Sequence, residues 1–222
     1  LEYDQDLNPK PSLAESWDVS EDGKTVTFKL QEDVKFHDGD AFTSADVKAT
    51  FDRIMTPPAG IVSPRASWYA PVTSVDAVDA LTVRFNLSEP YPALFPYLAN
   101  GFMGIMSKKT LDANNSNLAG VNDWPGTGPF KYKSNDGPQD WFYERNPDYW
   151  NGDLPLVDAL EWHRVSLSTA GPVMLAGRVD SKMSIPACPD RPNYRTACRF
   201  LSRQRCSLNN CWGAWFRPGC GC

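Results

Sequence analysis

From residue 24 to residue 30 the chain alternates strictly, with Val26, Phe28 and Leu30 on one side and Thr25, Thr27 and Lys29 on the other. A period of two marks a half-buried strand. Residues 15–20, with Trp17 and Val19 on a common face, read as its hairpin partner. Ser20-Glu21-Asp22-Gly23 between them reads as a turn whose glycine is free to take positive φ. A second hairpin follows the same pattern: residues 72–78, a tight turn at Asp79-Ala80, then Leu81, Val83, Phe85 and Leu87 alternating with Thr82, Arg84 and Asn86. Val34 and Phe36 suggest a short extended piece closed by a turn at His37-Asp38-Gly39-Asp40. Between the hairpins the period changes. Val47, Phe51, Ile54 and Met55 share one face at helical spacing, which predicts a helix over 43–55. Thr43 suits its N-cap, Asp46 lies near the positive end of its dipole, and Pro57-Pro58 stops it.

Residues 61–70 read as an irregular loop holding Arg65, Trp68 and Tyr69. Glu89-Pro90-Tyr91-Pro92 opens a short helix with Leu94, Phe95 and Leu98 on its apolar side, and Pro96 keeps it short or kinked. Residues 102–106 read as a small apolar strand and 107–118 as a polar helix or loop. Gly126-Thr127-Gly128-Pro129-Phe130 reads as a glycine-rich crossing. Residues 131–133, 140–144 and 160–165 read as three more strands, and 171–179 as the start of a helix. The inventory predicts a mixed α/β fold.

Composition changes this picture at one place. The chain has 222 residues, 41% apolar and 22% charged, enough for a core and close to the globular average. Net charge is −5, which argues against nucleic acid as the main partner. No apolar run approaches the roughly 20 residues that span a bilayer. The start, Leu1-Glu2-Tyr3-Asp4, carries no basic region followed by an apolar stretch, so a signal peptide is expected to be absent or already removed. All six cysteines lie at or after Cys188. From residue 187 onward six arginines stand against one aspartate, a charge of +5 that leaves −10 for residues 1–186. This tail has no lysine, glutamate, valine or isoleucine. Its irregular cysteine spacing and lack of histidine fit a zinc module poorly. A disulfide knot and a tail outside the selected fold, such as a translated wrong frame, stay open, and the expectation is few core contacts for 187–222.

Several blocks carry a family resemblance. Residues 13–28 (Leu-Ala-Glu-Ser-Trp-Asp-Val-Ser-Glu-Asp-Gly-Lys-Thr-Val-Thr-Phe) are followed by Val34-Lys35-Phe36-His37-Asp38-Gly39 and Phe42-Thr43-Ser44-Ala45-Asp46-Val47. Then come Gly126-Thr127-Gly128-Pro129-Phe130, Asn146-Pro147-Asp148-Tyr149-Trp150 and Leu175-Ala176-Gly177-Arg178-Val179-Asp180. In order and spacing they resemble family 5 of the bacterial solute-binding proteins, which serves oligopeptides, dipeptides and nickel. The resemblance implies a type II periplasmic-binding-protein-like fold, here a small inserted domain plus an incomplete first lobe. On that basis 1–125 is the small inserted-domain-like region, 126–186 a partial first lobe, and 187–222 the atypical tail. The implied role is the substrate-binding component of an ABC importer, periplasmic or extracytoplasmic, with membrane anchoring of a full-length form left open. Its implied partners are a small-molecule or peptide ligand and an ABC permease, and it implies no cofactor. The family's second lobe has no counterpart here, so none of its ligand-fixing residues can be carried over.

The residues support binding better than bond-breaking. There is no Gly-x-Ser-x-Gly, no phosphate-binding glycine loop and no nucleotide fingerprint. His37 and Asp38 read as a hydrogen-bonded turn rather than an acid–base pair. His163 reads as a strand residue without a partner cluster, and no metal site is expected. A catalytic residue is therefore not assigned. The candidate ligand contacts are Arg65, Trp68, Tyr69, Phe102 and Met103, placed near the cleft rim by the resemblance. Aromatics offer apolar area at low entropic cost and a guanidinium fits a carboxylate. Against this stands a packing role for Trp68, Tyr69 and Met103. Gly126 and Gly128 are the candidate hinge or crossover. Two other classes stay open: a stand-alone structural or interaction module, and a carboxylate-dependent hydrolase.

Overall fold

The structure, a computed structural model, describes residues 1–118, 121, 124–137, 139–152, 154–166, 172–177, 179, 181–183 and 194–201, the last two segments by backbone alone. It divides into two units, Leu1–Thr127 and Gly128–Cys222.

The first unit opens with two short antiparallel arms, β1 (Glu2–Tyr3) and β2 (Pro9–Lys10). The two hairpins are β3 (Ala14–Val19) with β4 (Thr25–Leu30) and β5 (Val72–Asp79) with β6 (Thr82–Leu87). They join into one antiparallel sheet of order β3-β4-β6-β5. Register aligns the apolar faces: Phe85 lies opposite Val26 on one side and Val75 on the other. The first hairpin turn needs its glycine, because Gly23 has φ +67° and a Cβ there would come within 3.1 Å of Pro90.

Helix α1 (Ser44–Met55) buries Val47, Phe51 and Ile54 against this sheet. Phe51 meets Phe85 edge to face at 4.9 Å and 81°. The capping expectation holds in more detail than spacing allows. The Asp46 carboxylate accepts from the Thr43 amide at 2.8 Å and the Thr43 hydroxyl at 2.9 Å. Its other oxygen accepts from the Lys108 amide at 2.7 Å. One carboxylate thus fixes the starts of both α1 and α3 (Lys108–Ala113). Thr50, fully buried, donates its hydroxyl to the Asp46 carbonyl at 2.8 Å and accepts the Met106 amide at 2.9 Å. Arg53 Nε donates to the Ser116 carbonyl at 2.8 Å. The segment after the short helix α2 (Leu94–Leu98) is therefore pinned to α1, and 102–106 is not the strand the apolar run suggests. Its Met106 amide is taken by a side chain instead of a neighbouring strand. Val34 and Phe36 are buried beside a single bridge, Lys35 to Ala41, rather than in a strand.

The second unit is an antiparallel sheet of β7 (Phe130–Asp136), β8 (Asp140–Arg145), β9 (Ala159–Ser166), β10 (Ser181–Met183) and β11 (Tyr194–Leu201), in the order β10-β11-β9-β8-β7. The three strands expected at 131–133, 140–144 and 160–165 are its β7, β8 and β9. A helical turn at 172–175 stands where a helix start is expected. Val157, Leu160 and Val179 are buried, whereas most of β7 and β8 is half-buried or exposed. One expectation is corrected here. Tyr194–Leu201 belongs to the tail, yet its backbone pairs with β9 from Tyr194↔Ser166 to Leu201↔Ala159. A strand edge on β9 offers backbone partners regardless of side-chain composition. The rest of the tail and all six cysteine side chains lie outside the described residues.

Replacing Thr50 with valine keeps the shape and leaves the Met106 amide without its acceptor. Thr50→Val is expected to destabilise the chain by about 1–3 kcal/mol in urea unfolding. A wild-type midpoint would contradict the bridging role.

Candidate functional site

The 3₁₀ turn Ala66–Tyr69 carries two aromatics to opposite fates. Tyr69 is 1% exposed and meets Phe51 edge to face at 5.1 Å and 85°. Its hydroxyl donates to the Tyr97 carbonyl at 3.3 Å. This corrects the grouping of Tyr69 with the ligand contacts: the ring is core, and it is the peg that seats the turn. Burial pushes its phenol well above the ordinary tyrosine range, opposed in part by the nearby Arg65 charge.

Trp68 is half-buried and lies flat on Tyr97, with centroids 5.1 Å apart and planes 15° apart. The Tyr91 hydroxyl donates to the Trp68 carbonyl at 3.1 Å. The Arg65 guanidinium sits 5.7 Å above the ring of Phe102. Phe102 is 67% exposed, one of several large apolar side chains that face solvent among the described residues. Met103 is half-buried beside it in sequence. The structure thus pairs Arg65 with Phe102 and fixes Trp68 nearby in the chain, while removing Tyr69 from the surface. Among the described residues Arg65 forms no ion pair.

Sequence reasoning missed Tyr91, Tyr97 and Asn100. Tyr97 follows Leu94 by three positions and so shares its helical face. Asn100-Gly101 is a turn dipeptide that marks the end of α2. Both signals were present in the sequence.

The two glycines of the crossing are held at opposite sides of the unit boundary. His37 and Gly126 exchange backbone and ring bonds: the His37 amide donates to the Gly126 carbonyl at 2.8 Å, and the Gly126 amide donates to His37 Nδ1 at 3.3 Å. Gly128 offers its carbonyl to the buried Asn146 side chain at 3.1 Å. The 36–40 segment is the hydrogen-bonded turn that was expected, with Gly39 at φ +90° and its amide on the Phe36 carbonyl at 2.9 Å. His163 differs from expectation. Its Nδ1 lies 2.8 Å from Asp140 on the adjacent strand and its Nε2 lies 3.5 Å from Glu161. Register places Asp140 directly opposite His163, and Glu161 is two residues back on the same face. Among the described residues no group of three or more His, Cys, Asp or Glu side chains is arranged to hold a metal ion.

Residues 8–192 match the bacterial extracellular solute-binding proteins, family 5 Middle. The chain is 31% identical over 185 residues to the glutathione-binding protein GsiB of Pectobacterium atrosepticum, across 83% of this chain and 35% of that one. It therefore spans about a third of the length of the curated relatives it matches. Among solved structures it resembles the PBP AgaA of A. tumefaciens R10 in complex with agropinic acid, at TM-score 0.73 and 31% identity, covering 81% of this chain and 36% of that one. It also resembles NikZ of Campylobacter jejuni in complex with Ni(L-His), at TM-score 0.72 and 25% identity, covering 82% and 36%.

The buried Tyr69 phenol carries a pH signature. Its folded value is raised, so its contribution to stability is intact below the unfolded value of about 10 and is lost as pH rises above it. Tyr69→Phe is expected to cost about 1 kcal/mol or less at neutral pH and to flatten the fall in stability above about pH 10. Urea unfolding across that range checks this, and an unchanged alkaline slope would count against a buried Tyr69.

Proposed function

The chain belongs to the bacterial extracellular solute-binding proteins of family 5, and we propose from this that it forms part of the substrate-capturing component of an ABC importer. Its fold is mixed α/β and type II periplasmic-binding-protein-like. In the proposed role the protein works outside the cytoplasmic membrane, grips a peptide or similar small solute, and hands it unchanged to a permease. No helix among the described residues is long and apolar enough to cross a membrane. The role asks for shape and a few polar anchors, with no bond-breaking group. The first unit is then the small inserted domain and the second the beginning of the first lobe. Gly126 and Gly128 form the crossing between them. Support for the crossing comes from the anchoring of Gly126 to His37 in one unit and of Gly128 to Asn146 in the other.

The observation that carries the ligand reading is Arg65. The residue is half-buried, and its guanidinium is held over the exposed Phe102 ring and forms no ion pair among the described residues. A planar cation with its fork unspent and an aromatic beneath it suits a carboxylate next to an apolar group. Glutathione, agropinic acid and the histidine of Ni(L-His), named with the relatives, all carry carboxylates. The proposed contacts are Arg65, Trp68, Phe102 and Met103.

Titration of glutathione into the isotope-labelled chain, followed by amide shifts, tests this. The expected shifts centre on those four residues, with affinity well below that of GsiB because this chain spans a third of that protein's length. Arg65→Ala should weaken binding by about 10-fold or more, the loss of one charge-assisted hydrogen bond. Shifts centred elsewhere, or an Arg65→Ala variant that titrates like the wild type, would remove this surface from the ligand site.

A further inference from the structure

We infer that Asn100 is a positioning residue for the Arg65–Phe102 pair, setting where that pair stands relative to Trp68. Its purpose rests on the ligand reading above, while its geometry belongs to the free chain.

Three hydrogen bonds meet on Asn100. Its amide donates to the Tyr97 carbonyl at 3.3 Å, tying it to the end of α2. Its side-chain Oδ1 accepts the Phe102 amide at 3.0 Å, and its own carbonyl accepts the Met103 amide at 2.8 Å. The first bond faces back to the residue whose ring holds Trp68. The other two fold the chain forward, so that the ring of Phe102 comes under Arg65. The end of α2 therefore links both halves of the candidate surface.

The link runs through backbone because Phe102 has little else to fix it. An exposed ring makes few core contacts, so its place is set by the turn from which it projects. That turn contains Gly101 and is followed closely by Gly104, the two residues with the least conformational preference of their own. Asparagine supplies what the glycines lack, since its short side chain can accept from an amide two residues on. Aspartate can do the same and alanine cannot. The pair Asn100→Ala and Asn100→Asp therefore separates the acceptor from the rest of the side chain.

The test uses the full labelled chain without ligand. The readout is the Arg65 Nε–H resonance, displaced by the Phe102 ring current and assigned by its return to an ordinary position in Phe102→Leu. Asn100→Ala should lose the displacement with little change in thermal midpoint, and Asn100→Asp should keep it. A displacement retained in Asn100→Ala, or lost equally in Asn100→Asp, overturns the inference. Should the alanine variant not fold, amide exchange in the wild type decides. A Phe102 amide slower than that of Gly101 supports the side-chain bond, and equal rates overturn it. Glutathione titration is a separate arm, with binding weakened about 3- to 10-fold in Asn100→Ala and restored in Asn100→Asp. If the resonance arm holds and glutathione binds nowhere, the positioning role stands and the ligand reading falls.

Discussion

The contact on which the first unit depends is the edge-to-face meeting of Phe51 with Phe85. It joins the helix to the sheet and continues in both directions. Phe28 meets Phe85 at 5.4 Å, and Phe51 meets Tyr69 at 5.1 Å. Each such pair adds about 0.5–1.5 kcal/mol beyond the area it buries. More important is what the row of rings places. Tyr69 is its last buried member, and the turn that seats Tyr69 presents Trp68 and Arg65. The candidate binding surface is an outgrowth of the core, not a loop laid over it.

Polar groups extend that core where apolar packing ends. Asp46 joins the N-cap Thr43 of α1 to Lys108, the first residue of α3, and Thr50 joins the Asp46 carbonyl within α1 to Met106 in the segment leading to α3. Such groups are costly when buried without partners, and among the described residues no buried side-chain nitrogen or oxygen lacks one. The second unit has a different balance. Its strands pair over long registers, yet among the residues whose side chains are described few are buried. A sheet gains most of its stability from a second layer against one face.

Much of this was legible because the signals were local. Alternation in 24–30 and 81–87 reports directly which side chains point inward, and the capped, periodic run at 43–55 could hardly be anything else. The misreadings concern residues whose partners are distant. Phe102 to Met106 is apolar enough for a strand, and only the Thr50 hydroxyl, over fifty positions earlier, shows why its last amide is not available for a sheet. Trp68 and Tyr69 are neighbours of similar character. Which one turns inward depends on Phe51 and Tyr97, and no spacing rule reveals that. His163 acquires Asp140 through strand register. The strand at Tyr194–Leu201 is masked by its two arginines and one cysteine, although backbone pairing is indifferent to them. Tyr97 and Asn100 were readable as a helix face and a turn dipeptide, but their link to the candidate surface around Arg65 and Phe102 was not.

Native-state hydrogen exchange across the first unit tests most directly whether the candidate surface shares the stability of the core. The amides to follow are those of Trp68 and Ala70, which donate to the Arg65 and Ser67 carbonyls, and that of Phe85 within the sheet. Trp68 and Ala70 are expected to open only with Phe85, in one cooperative unit. Free exchange at Trp68 and Ala70 while Phe85 stays protected would show a surface detached from the core and contradict the account.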